Sequence, residues 1–75
     1  MIWKDFYITF EELAPAIHYD TELTIKNWLV PEELLLSDPV TLRKMKFEEY
    51  DPIKNFPVRR LIPEGKKLTV FLEEI

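Results

Sequence analysis

His18 and Asp20 lie two positions apart and could offer two ligands to a metal ion. A metal site needs three or four donors at suitable spacing. A turn histidine beside a strand more often caps the backbone or meets solvent, so no metal or cofactor is expected. The chain has no cysteine, and therefore no thiolate nucleophile. Its single glycine rules out a glycine-rich phosphate loop. The hydroxyls of Thr9 and Ser37 are better placed as helix caps than as nucleophiles. Glu11-Glu12, Glu32-Glu33, Glu48-Glu49 and Glu73-Glu74 are adjacent acids. Neighbours on a helix point about 100° apart, so none of these makes a general acid/base pair by itself. These residues point away from an enzyme.

Basic residues fall in two groups: Arg43, Lys44 and Lys46, and then Arg59, Arg60, Lys66 and Lys67. If the two groups met on one side they would form a patch for nucleic acid. That is the alternative function, centred on Arg59, Arg60, Lys66 and Lys67. Phosphate binding usually accompanies net positive charge. Here 14 acids outweigh 10 bases, for a net charge of -4. Edge protection explains basic residues on a hairpin more simply, because charge discourages strand-to-strand aggregation. The acids are interspersed with bases, which does not suit a mimic of nucleic acid either.

A chain of 75 residues buries only about 60% of the surface its unfolded form exposes. Such small domains usually need staples or self-association. Hydrophobic residues are 47% and aromatics 13% of the chain, too apolar for disorder. Each aromatic can bury roughly 150–250 Å2. Either all of the rings fill one core or some are left for a partner. Trp and Arg dominate interface hot spots, so Trp3, Trp28 and Phe71, with Arg59 and Arg60 at the rim, are the candidate partner-binding residues. The partner is a protein or a second copy of the chain, in a homo-oligomer such as a homodimer.

Those residues need elements to position them. Six prolines cut the chain into short pieces. Thr9 and Glu12 have the spacing of a capping box, with Ile8 and Leu13 at the staple positions. Glu11 and Glu12 suit the positive end of the helix dipole. The spacing predicts a helix over roughly 10–17, kinked or ended by Pro15. Leu23, Ile25 and Asn27 alternate with Thr24, Lys26 and Trp28, the pattern of a half-buried strand. Trp3 to Thr9 reads as another. Pro31-Glu32-Glu33-Leu34 has proline and acids where a helix begins, and Ser37-Asp38-Pro39 offers a second start. Over Leu42–Tyr50 the composition favours helix, while a strand through Thr41, Arg43, Met45 and Phe47 is the alternative. At the end, residues 57–62 and 67–73 form a β-hairpin. Pro63 presets the second turn position and Gly65 closes the loop in the left-handed conformation. Leu68, Val70 and Leu72 then share the core face, and Phe71 takes the opposite one.

The pattern Thr9-x-x-Glu12-Leu13, then Asp20-Thr21-x-Leu23-x-Ile25, then Val58 and Ile62 before Leu68-x-Val70-x-Leu72, resembles the small α+β proteins encoded in phage and prophage genomes. The resemblance covers about half the chain and rests on structural motifs that recur widely. Residues 29–56 depart from it. That group is largely uncharacterised, so no functional residue carries over; the resemblance implies only a phage origin.

The fold expected is a single α+β domain. A small antiparallel sheet with a C-terminal β-hairpin packs against one or two short helices. Apolar runs as short as Leu34–Leu36 fall far below the roughly 20 residues of a membrane span. The N-terminus lacks the basic and apolar blocks of a signal peptide. The absence of cysteine fits a reducing compartment, so a cytoplasmic, non-enzymatic binding or regulatory protein is expected.

Overall fold

The computed structural model describes residues 8–36 and 39–74. Of the strand expected over Trp3 to Thr9, residues 3–7 lie outside the described residues, as do the Ser37 and Asp38 caps; Thr9 itself forms an isolated antiparallel bridge to Pro57.

Thr9 opens helix α1, Phe10–Leu13. The Glu12 amide donates to Thr9 Oγ1 at 3.3 Å, and the Thr9 amide donates to Glu12 Oε1 at 2.9 Å. Two otherwise orphaned donors are satisfied in this way. Phe10 and Leu13 turn inward, while Ile8 stays exposed. At Pro15 the α-helix gives way to a 3-10 turn, Ala14–Ala16, because proline has no N–H for the next helical bond.

Strand β1, Glu22–Asn27, buries Leu23, Ile25 and Asn27 and leaves the alternate residues toward the other face. Helix α2, Phe47–Tyr50, precedes β2, Val58–Glu64, and β3, Lys67–Leu72. The sheet order is β1-β3-β2. The hairpin pair β2 and β3 is antiparallel, with an irregularity between Val58 and Arg60. β1 lies parallel to β3, Leu23 opposite Leu68 and Ile25 opposite Val70. The α+β architecture with its C-terminal hairpin and two short helices is therefore present, on a mixed sheet rather than an all-antiparallel one. Alternation reports which face a residue takes but not the direction of its neighbour.

Phe10, Leu23, Ile25, Val70 and Leu72 are almost wholly buried on one face of the sheet. Ile53 and Leu13 complete that core. The Phe10 and Tyr50 rings meet at 6.1 Å and 53°.

Three local expectations give way to tertiary contacts. Pro31 starts no helix: residues 31–32 form a turn, and Leu34 pairs with Lys26 on the edge of β1. Over residues 42–50 only Phe47–Tyr50 is α-helical; Leu42–Lys44 is a separate turn. Val40 is tied to Leu23 by two backbone bonds of 2.8 and 3.0 Å, and the Arg43 amide donates to the Tyr19 carbonyl at 3.1 Å. These anchors override helix propensity, a weak prior. Pro63 lies within β2 opposite Leu68, not in the turn. An edge strand tolerates its missing N–H. The loop itself is Gly65-Lys66. Gly65 has φ +63° and, among the described residues, no non-glycine residue has positive φ, which matches a type II′ hairpin.

Candidate protein-binding face

Residues opposite one another on paired strands share a face. On the side away from the core, register forms three cross-strand rows. They are Glu22–Lys67–Glu64, Thr24–Thr69–Ile62 and Lys26–Phe71–Arg60. Trp28 follows Lys26 by two positions and lies at the end of this face. Among the described residues, no helix packs on it; the buried core lies wholly on the opposite side.

The rings of Trp28 and Phe71 meet edge to face, with centroids 6.0 Å apart and planes at 83°. This geometry sets the positive edge of one ring against the negative face of the other. The Arg59 guanidinium lies 5.4 Å from the Trp28 ring centroid, and Lys26 Nζ lies 5.9 Å from that of Phe71. Both are cation–π distances. Arg59 also donates to Glu73, a half-buried ion pair that fixes the guanidinium beside the indole.

The structure thus gathers Trp28, Phe71 and Arg59 into one cluster. It places Arg60 opposite Phe71, exposed. Trp3 lies outside the described residues. Lys26 and Glu73 also belong to the cluster, and sequence reasoning passed over both. Alternation set Lys26 on the Trp28 side; the signal missed was that the Phe71 side of β3 meets the same face.

Arg43 is fixed at the entry to β1, where its Nε donates to Asp20 Oδ1 at 2.8 Å and its guanidinium stacks 4.1 Å over the Tyr19 ring. The hydrogen bond from Arg43 holds the Asp20 carboxyl below its ordinary range and raises the Arg43 pKa. His18 Nδ1 accepts from the Asp20 amide at 3.1 Å and its ring stacks on Tyr19. It closes a turn.

A groove of about 670 Å3 runs between α1 with its 3-10 turn and α2. Ala14, Pro15, Leu42, Met45, Phe47 and Tyr50 line it, with Glu11 at its wall. Its lining is mainly apolar, and few polar groups converge there to orient a ligand. Among the described residues, no three His, Asp or Glu side chains group as metal ligands, and no helix is long and apolar enough to cross a membrane. Compared with known protein families, curated proteins and solved structures, the chain matches none.

Proposed function

We propose that this chain is a small non-enzymatic binding protein that engages a protein partner through the outer face of its sheet. Trp28 and Phe71 are the apolar anchors, and Arg59 and Arg60 form the rim. The observation that carries this reading is the edge-to-face ring pair beneath a fixed guanidinium, on a face that no described element covers. Aromatic and arginine side chains supply most of the energy in protein interfaces. The cations Lys26 and Arg60 flank Phe71, so the matching partner surface carries carboxylates beside an aromatic or aliphatic side chain. The cytoplasmic setting and the phage origin belong to the same proposal.

An aromatic ring between two cations would also stack a nucleic-acid base. Carboxylates oppose that use here. Glu73 neutralises Arg59, and Glu22 and Glu64 flank Lys67.

Selection of a random peptide library on the purified protein tests the proposal. Enriched peptides are expected to join Asp or Glu to an aromatic residue, and Lys26→Glu or Phe71→Thr is expected to abolish their binding with the circular dichroism unchanged. Enriched peptides that ignore both substitutions, or binding of a single-stranded oligonucleotide in their place, would contradict it.

A further inference from the structure

We propose that the groove between α1 and α2 binds a small apolar organic cation, an amine or quaternary ammonium, held between the Glu11 carboxylate and the rings of Phe47 and Tyr50. The groove shares no residue with the outer-face site, and the proposal does not rest on that site.

Backbone bonds fix the walls. The Glu11 amide donates to the Lys54 carbonyl at 2.9 Å and the Phe10 amide to the Phe56 carbonyl at 3.1 Å, which ties α1 to the segment after α2. The Tyr50 ring packs on the buried ring of Phe10. At the start of α2, Glu49 Oε1 accepts from the Lys46 amide at 2.9 Å and sets the turn that carries Phe47. The Met45 and Lys44 amides donate to the Thr41 carbonyl at 2.9 and 3.1 Å, closing the turn that brings Leu42 and Met45 to the groove. A groove tied in this way needs little ordering to receive a ligand.

Its volume of about 670 Å3 falls in the range of small-molecule sites, roughly 300–1,000 Å3. Phe47 is 70% exposed, the most open large apolar side chain among the described residues. Standing alone, such a ring would mean little. Here it continues an apolar wall formed by Pro15, Leu42, Met45 and Tyr50.

Charge selects the kind of ligand. Among the described residues that line the groove, Glu11 alone is charged. Lys54 is near it, but its ammonium is drawn to Asp51, with Nζ 3.1 Å from Oδ1. That hydrogen bond is the largest cause of the raised Lys54 pKa, and the charge of Glu11 is a lesser one. Glu11 therefore keeps most of its pull on a second cation. Aromatic rings attract cations through their negative faces, and quaternary ammonium groups are recognised in this way. An anion would meet Glu11 and a chain of net charge -4. A neutral ligand would find the apolar wall but little to fix its direction.

The test is an NMR titration of the isotopically labelled full chain with benzyltrimethylammonium, beside benzyl alcohol and phenylacetate. Circular dichroism confirms the fold of each variant. The cation is expected to saturate and to shift the Glu11, Met45, Phe47 and Tyr50 amides, with the neutral and anionic probes bound at least about tenfold more weakly. Glu11→Gln should weaken the cation by about threefold. Phe47→Leu keeps an apolar side chain, so it should weaken the cation by about the same factor and leave benzyl alcohol unchanged. Equal affinity for the three probes, no saturation by about 20 mM, or indifference of the cation to either substitution would overturn the proposal. Saturation at Trp28 and Phe71 instead would do the same. So would shifts of the groove residues on concentrating the protein alone, the mark of a second copy seated there.

Discussion

The two faces of this three-stranded sheet are built from alternate residues of the same strands, yet they carry different duties. On the inner face Leu23, Ile25, Val70 and Leu72 are sealed beneath α1 and the segment around Ile53. Their removal from water stabilises the fold by roughly 1.5–3 kcal/mol per side chain. On the outer face Lys26, Trp28, Arg59 and Phe71 hold one another through ring and cation contacts while remaining partly open. Such contacts contribute about 0.5–1.5 kcal/mol each and are sensitive to solvent. Evenly distributed apolar burial would have made a thicker core. The rings left on the open face are the ones the proposed partner would cover.

The contrast is sharpest for a buried leucine. Leu23→Ala is expected to destabilise the protein by about 2–5 kcal/mol, through lost transfer energy and a cavity, seen as a lower urea midpoint. A loss below about 1 kcal/mol would show that the inner face does not carry the fold. Gly65→Val comes next. Open space surrounds the position a Cβ would take, so the strain comes from the positive φ alone. A loss of about 1–2 kcal/mol is expected, checked by the same melt. Thr9→Ala removes the cap of α1 and should lose about 1 kcal/mol. Phe71→Thr keeps a strand-forming residue and should lose less than Leu23→Ala, about 1 kcal/mol, because its ring contacts lie on the open face. An equal loss at both positions would erase the distinction between the faces.

Acid acts mildly on the clamp at the entry to β1. Asp20 has a depressed pKa in the folded state, chiefly through its hydrogen bond from Arg43. Its contribution is present above the ordinary carboxylate value of about 3.9 and is lost as pH falls through the lower folded value. Both groups are exposed, so the effect is the smallest of these. NMR titration should show the Asp20 carboxyl ionising below the range of a free aspartate, and Arg43→Ala should return it to that range.

The sequence made legible whatever depends on neighbours a few residues away. The Thr9 and Glu12 box is a matter of local hydrogen bonding. The alternation of Leu23, Ile25 and Asn27, and of Leu68, Val70 and Leu72, follows from the pleat itself. Gly65 marked the hairpin, although Pro63 proved to be an edge residue because the loop is two residues long. Residues 28–36 and 39–46 were not legible. Their path is fixed by Leu34 and Val40 binding to β1, and no local spacing encodes those bridges. The parallel pairing of Ile25 with Val70 spans 45 positions and has no local signature either. The candidate site was half legible for the same reason. Each strand announced its own outward residues, and only the sheet brought Lys26 and Trp28 to Phe71.

The division of labour between the faces is tested most directly by NMR of the isotopically labelled protein titrated with a library-selected peptide. Shifts are expected to concentrate at the Trp28 indole and the Lys26, Phe71 and Arg60 amides, with Leu23 and Val70 little changed. Shifts centred instead on Leu42, Phe47 and Tyr50 in the groove between the helices would contradict it.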